Sequence, residues 1–527
     1  MDKKTFGSMR AKGPRITRRA TLGGMAAGMA MSAGGLLVPA SAQAQETPRR
    51  GGHLRVAGHS SSANDTLDPA RFSLSTDFIR GHMVYNNLTR LDDQAQPIPD
   101  LAETFEPGDD PSVWIFQLRE GVTFHDGKAL STDDVIFSLM RHADESVGSA
   151  ASGLGGQIAE ARADGPNTVV VTLTGPNADF PIVVATPHFA ITQAGTEDFS
   201  GGIGTGPFRM QEFSPGVRSI AVRNENYFRE GQPYVDSIEF FGISDANARL
   251  NAVLSGDVHL ASDIQPAGLE QLESSDGVEV LETPAPRFSQ LIMMTDRAPM
   301  DNPDLRLAMK FLMDRERVVN TLMRGYGMQG NDHVIPPISP LYNAELPQRE
   351  LDHDRAQYHL RQAGMENATL ELHVSEAASL SVDLGQMIQR EAARIGLNIE
   401  LRREPADGYW SSIWMQRGFH AGEWNARPTF GILLDLGWRS DANWNETQFA
   451  SERLDMLINE TRVAVDPARK KEVFDEIQAI LYEDGGNLIP AFGSYLDGKS
   501  TAVKGMPSTP TGNFGGFNFA ESVWLDE

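Results

Sequence analysis

Val113-Trp114-Ile115-Phe116-Gln117-Leu118-Arg119-Glu120-Gly121-Val122-Thr123-Phe124-His125-Asp126-Gly127-Lys128, followed by Ser131 and Asp133-Asp134-Val135, is the stretch from which the architecture is read. Trp114, Phe116 and Leu118 alternate, the period-two pattern of a strand with one buried face. Asp126-Gly127 is a tight-turn pair. Ser131 with Asp134 three residues on is a helix-capping pair, and Val135, Ile136 and Leu139 lie on the helix that it starts. The segment therefore predicts strand, turn and helix. His125-Asp126 has the composition of a catalytic dyad, but it flanks the turn and no nucleophile is near in sequence, so stabilisation of the turn is its expected role.

Outward from this unit the same alternation continues. Runs at 53–57, 113–118, 168–173, 219–222, 237–241, 369–374 and 398–401 read as strands, and 133–142, 304–324, 381–395 and 467–484 read as amphipathic helices. No internal repeat interrupts the pattern, which is α/β. A chain of 527 residues exceeds the size of one hydrophobic core, so two or more lobes are expected.

The first residues read as an address. Arg15, Arg18 and Arg19 form a basic start, 20–39 is a Gly- and Ala-rich, weakly apolar run, and Ala42-Gln43-Ala44 is a small-x-small cleavage site. Residues 1–44 are thus expected to be a signal peptide. Thr17-Arg18-Arg19-Ala20-Thr21-Leu22 resembles the twin-arginine export signature. Gly23, Gly24, Gly34 and Gly35 break the run, and no later stretch reaches the roughly 18 apolar residues of a membrane span. The chain has no cysteine, so packing alone must hold the lobes and no lipid can be attached at a cleavage-site Cys. A soluble protein in the periplasm of a Gram-negative cell, not a lipoprotein, is the expectation.

Charge and motif content exclude several function classes. The formal net charge is −25, and −31 once the seven Lys/Arg and one Asp/Glu of residues 1–44 are removed, a field that repels nucleic acid. There is no G-x-S-x-G elbow and no H-E-x-x-H helix. The closest histidine pairs, His53/His59 and His353/His359, are six apart, whereas helical metal ligands recur at three or four. Neither a hydrolase nor a metal or other cofactor is expected. Gly202-Ile203-Gly204-Thr205-Gly206 is dense in glycine, but Pro207-Phe208 leads into a strand rather than a helix, which argues against a phosphate cradle.

The stretch 118–128 with Asp133-Asp134-Val135 resembles the signature of the family 5 extracellular solute-binding proteins of peptide, dipeptide and nickel ABC importers. Tyr85-Asn86-Asn87-Leu88 with Pro99-Asp100-Leu101-Ala102 is similar to that family's entry to a small domain, and Gly204-Thr205-Gly206-Pro207-Phe208 to its crossover back. Asn302-Pro303-Asp304-Leu305-Arg306-Leu307-Ala308-Met309 with Asp314-Arg315 is similar to the first helix of its last domain. The resemblance implies a bilobal periplasmic-binding-protein fold with an extra inserted domain. Domain I would comprise 45–84, 203–284 and 496–527, the inserted domain II 85–202, and domain III 285–495. Hinges would lie near Pro284-Ala285-Pro286 and Ser494-Tyr495. A monomer would close on a small peptide or peptide-like ligand and dock on a membrane permease driven by an ATPase; members bind peptides, metal chelates, sugars and opines.

Trp410, Trp414, Trp424, Trp438 and Trp444 fall in one part of the implied domain III. Flat, rigid aromatics suit a pocket that grips through area, and core packing is the alternative. Trp424, ahead of a proline-containing loop, and Trp410 are ligand candidates, although the helical spacing of Trp410 and Trp414 favours packing for at least one of that pair. Peptide binders of the family hold the ligand's amino terminus with an Asp after this strand; here the loop reads Trp424-Asn425-Ala426-Arg427-Pro428-Thr429, with Arg427 at that place. A guanidinium takes a carboxylate or phosphate, not an ammonium. The basic residue expected after the preceding strand is missing from Val374-Ser375-Glu376-Ala377-Ala378-Ser379. An anionic, opine-like or acidic ligand competes with a free peptide, and a salt bridge is the alternative role for Arg427. Arg287, Phe288 and Ser60, Ser61 and Ser62 are further cleft candidates. A receptor that presents its ligand to a sensor would use the same closed state.

Overall fold

Two long strands, Val278–Met293 and Asn487–Ser500, pair antiparallel and form the spine of an eleven-stranded sheet in the computed structural model, which describes residues 47–110 and 112–526. The expected signal peptide, 1–44, lies outside the described residues. Gly327–Gln329 pairs with the second spine strand off the main path, and on one side of the spine follow Leu260–Ala261, His53–Gly58, Ser237–Gly242, Arg218–Arg223 and Phe208–Ser214. On the other follow Phe419–Trp424, Thr369–Val374 and Asn398–Arg403. The spine's register slips where Pro284 faces Ser494 but Arg287 faces Gly493, so that Ala285-Pro286 bulges. Proline cannot donate to the ladder, and a bulge is where a strand bends. All of these elements belong to one compact unit, Pro48–Glu527.

The stretch quoted first folds as read. Val113–Leu118 lies inside a four-stranded antiparallel sheet with Ala102–Pro107, Thr168–Leu173 and Ile158–Ala163. Trp114, Phe116 and Leu118 face a core shared with Val135 and Leu139 of the helix Thr132–Met140. Asp134 accepts from the Ser131 N–H at 2.9 Å, which fixes the helix start. Gly127 takes φ +91° in the turn, and its N–H donates to the Phe124 carbonyl at 2.9 Å.

His125 does more than hold that turn. Its Nδ1 accepts from Gly204 N–H at 3.2 Å, and its Nε2 lies 3.1 Å from the Gly206 carbonyl. Burial keeps its pKa below the usual histidine value, so the ring is neutral, with Nε2–H as the donor. The glycine run is a backbone crossing: a Cβ on Gly204 would lie 2.1 Å from the Val84 carbonyl oxygen. Gly204→Ala is therefore expected to lose about 1–3 kcal/mol in urea denaturation through overpacking. Gly201→Ala, whose Cβ would meet only Ile203 at 3.8 Å, should be silent.

The other expected strands and helices form with small shifts at their ends, with one exception. In place of a single helix over 304–324, the chain makes Pro303–Phe311, a turn at Arg315–Arg317 and a π-helical turn at Val318–Leu322. Asp314 explains the break, because its side chain accepts from Arg317 N–H at 3.0 Å as a new cap. Further cores gather around Phe72, Phe208, Phe240 and Phe519, around Leu305, Met309, Leu372 and Ile388, and around Trp424, Trp438, Phe474 and Phe492. No helix among the described residues is long and apolar enough to cross a membrane.

Candidate ligand-binding site

Strand Phe419–Trp424 lies beside the spine in a register that sets Trp424 opposite Phe288. Both side chains pack into the core that holds Trp438 and Phe492. The tryptophans form a continuous row, with ring centres 6.0 Å apart for Trp410–Trp414, 6.4 Å for Trp414–Trp444, 5.9 Å for Trp444–Trp424 and 5.2 Å for Trp424–Trp438. Trp410 and Trp444 are exposed, at 40% and 43%, whereas Trp424 and Trp438 are buried, at 5% and 3%.

One buried carboxylate orients the row. Glu446 accepts from the indole N–H of Trp414 and of Trp424, each at 2.7 Å, and from the Gln290 amide. Gln290 in turn accepts from Asn487 at 2.9 Å, and Asn487 accepts from the Trp438 indole at 3.1 Å. Burial pushes the Glu446 pKa up to about 7 against the pull of its three donors.

Beyond Trp424 the chain enters a cleft of about 1470 Å³ lined by Pro286, Ala426-Arg427-Pro428, the helix start Thr429-Phe430 and Lys470 on one side. Residues of the segments 85–100, 178–188, 336–341 and 505–522, together with Arg229, also line it. His82 and His188 also face it; burial lowers both pKa values, His82 to about 4, so both rings are neutral at pH 7. A smaller cavity of about 250 Å³ adjoins the same strand pair and is lined by Arg287, Phe288, Glu423, Trp424, Asn425 and Tyr495. Among the described residues no three His, Asp or Glu side chains gather as a metal site would require.

Residues 96–430 match the model of the bacterial extracellular solute-binding proteins, family 5 (middle region). The chain belongs to this family. The family 5 protein is 23% identical over 496 residues to the dipeptide-binding protein of Escherichia coli strain K12, covering 86% of this chain and 92% of that one. It is 25% identical over 449 residues to the glutathione-binding protein GsiB of the same strain, covering 80% and 84%. Among solved structures, HbpA2 from Haemophilus parasuis superposes with a TM-score of 0.81 at 20% identity, covering 90% of this chain and all of that one, which establishes the bilobal α/β fold.

The candidates read from the sequence of this family 5 protein are distributed unevenly. Arg427 lines the large cleft, and Trp424, Asn425, Arg287 and Phe288 line the small cavity. Trp410 lines neither. Ser60, Ser61 and Ser62 also line neither. Ser61 and the Ser62 N–H bond Asp65 at 2.5 and 2.7 Å, and Asp65 pairs with the buried Arg80 at 2.7 Å; Ser60 accepts from Thr76 N–H at 3.4 Å. Sequence reading missed Asp179, Arg229, Lys470 and Glu521 in the cleft wall and Glu446 behind it. None of these stands in a recognisable motif.

Arg427 forms no salt bridge. Its guanidinium lies 5.4 Å from the Trp424 ring centre, and it makes no hydrogen bond or ion pair among the described residues. The other cations of the large cleft are paired: Arg90 with Glu521 at 3.4 Å, Arg229 with Asp100 and Glu521, Lys470 with Asp179, and Lys471 with Asp475.

Proposed function

We propose that this family 5 protein is the substrate-binding component of an ABC importer. It captures a peptide or peptide-like solute in the cleft and delivers it to a membrane permease and its ATPase. The cleft of about 1470 Å³ carries this reading, since it is large enough for a ligand of several residues and mixes apolar walls with a few polar groups. The dipeptide- and glutathione-binding relatives support it. The protein acts as a binder rather than an enzyme. It works as a monomer in the periplasm after removal of residues 1–44, with domain I formed by 45–84, 203–284 and 496–527, domain II by 85–202 and domain III by 285–495.

The hinge of this reading is the bulge at Ala285-Pro286 opposite Gly493-Ser494. Ligand shifts the population toward the closed state by binding it better than the open one. A contact across the cleft rim favours closure as well: Lys470 pairs with Asp179, and Ala178 N–H donates to the Arg462 carbonyl at 2.7 Å. Lys470→Met is expected to raise the radius of gyration of the unliganded protein in small-angle scattering and to weaken ligand binding several-fold. An unchanged scattering curve would remove the pair from the closing equilibrium.

Native mass spectrometry of the mature protein from its own host, with release of the bound molecule, tests capture directly. A peptide or peptide-like molecule released from the cleft is the expected result. Loss of its uptake on deletion of the gene separates import from ligand presentation to a sensor, where uptake would stay normal.

A further inference from the structure

Across both cavities two arginines have no acidic partner. Arg427 stacks on Trp424, and the Arg287 guanidinium lies 5.4 Å from the Tyr495 ring centre; neither guanidinium makes a hydrogen bond or ion pair among the described residues. Arg324, the remaining arginine of the small cavity, is paired with Glu273 at 3.5 Å. The two free guanidiniums flank one strand pair, since Phe288 faces Trp424 in the ladder, Arg287 precedes the first and Arg427 follows the second by three residues. Stacking on a ring holds a guanidinium plane while leaving its N–H fork open, and that fork matches a carboxylate.

Several lining acids are in the opposite condition. Asp100 and Glu521 are bound by Arg229, Asp179 by Lys470 and Asp263 by Arg249 at 3.4 Å. Asp92 and Asp93 in the large cleft and Glu423 in the small cavity have backbone N–H donors and no cation among the described residues. The mature chain carries a charge of −31 after loss of the seven Lys/Arg and one Asp/Glu of 1–44. An anion is repelled by such a field unless cations are left open where it binds.

We propose that Arg427 and Arg287 form a carboxylate-binding subsite, and that the transported solute is an acidic, peptide-like molecule with no free ammonium at this end. The proposal rests on the capture reading and narrows it to a ligand class. Arg427 supplies the fork in the large cleft, Arg287 supplies a second in the adjoining cavity, and the buried Trp424 ring holds the plane of the Arg427 guanidinium.

The test uses mature protein stripped of ligand by unfolding and refolding, titrated with two matched pools of X-Glu dipeptides, one N-acetylated and one with free amines. The acetylated pool is expected to raise the melting temperature at lower concentration than the free pool. Arg427→Gln should raise its half-saturating concentration at least 30-fold, Arg427→Lys should restore part of the response, and Arg287→Gln should weaken it as well, with the unliganded melting temperature unchanged in each. Preference for the free-amine pool, retention of the acetylated response in Arg427→Gln, or no response to the acetylated pool overturns the subsite. A response to free amines retained in Arg427→Gln leaves the capture reading intact. Silence from both pools, together with no ligand on the host-purified protein, would overturn capture itself.

Discussion

Asp332→Ala is expected to destabilise the protein by about 3–5 kcal/mol, measured by urea denaturation at pH 7, because it strips the counter-charge from a buried cluster of cations. Asp332 is fully buried. It accepts two bonds from Arg315 at 2.7 Å, one from Arg349 and one from Ile489 N–H at 3.1 Å. Lys310, also fully buried, lies in the same cluster and donates to the carbonyls of Leu481 and Tyr482 at 3.2 and 2.9 Å. Burial alone would raise the Asp332 pKa, but Arg315, Arg349 and Lys310 overcome it and hold the carboxyl below its ordinary value. A group with a lowered folded pKa stabilises above its unfolded pKa, so this contribution is fully present above about pH 4 and is lost only as pH falls through the lower folded value. Asp332→Asn keeps the shape and loses the charge, and it should cost nearly as much as Asp332→Ala. The Arg315→Met/Asp332→Ala pair should recover part of the loss. A cost below 1 kcal/mol for Asp332→Ala would mean that water reaches the cluster.

The periodic elements were legible from the chain because each carries its own signal. Val113–Leu118 alternates and Thr132–Met140 is capped by residues within the same twenty-odd positions. The spine was not, and its residues say why. Val278–Met293 contains Pro284 and Pro286, and Asn487–Ser500 contains Pro490, Gly493 and Gly498, all residues that read locally as breakers. The two strands are stabilised by one another across some 200 residues, with contacts such as Asn487 to Gln290 that local propensity cannot announce. The helix expected over 304–324 is broken by the local cap at Asp314, and the turn it starts sends Arg315 inward to Asp332, a partner that the fold supplies.

The site divides in the same way. Trp424, Asn425 and Arg427 share one loop, and their chemistry was readable together. That the Arg427 side chain lacks a partner while Asp179, Asp100 and Glu521 are each taken by other cations is something only the assembled cleft reveals. Ser60, Ser61 and Ser62 look like ligand donors in a loop, but Asp65 and Arg80 already engage their neighbourhood.

Glu446 gives the second large effect, and its direction is opposite to that of Asp332. Burial lifts its pKa from an ordinary 4.5 to about 7, a difference of about 3 kcal/mol between folded and unfolded states at about 1.4 kcal/mol per unit. Because the folded value lies above the unfolded one, the associated stability is fully present below about pH 4.5 and is lost as pH rises through 7. The protein is therefore expected to weaken by about 3 kcal/mol between pH 4.5 and 7.5 from this group alone, with Glu446→Gln flattening that slope. The glutamine oxygen can replace the Oε1 that accepts from Trp424 and Gln290, whereas its NH2 would face the indole N–H of Trp414, the less buried of the two tryptophans. Above pH 7 the variant should thus match or exceed the parent despite losing one hydrogen bond, and the tryptophan emission of the parent should shift with pH where that of the variant does not. Urea titrations of both proteins from pH 4.5 to 8, followed by tryptophan fluorescence, give slope and spectrum together. Parallel stability curves would show that Glu446 stays ionised throughout and that its three donors, rather than burial, set its charge.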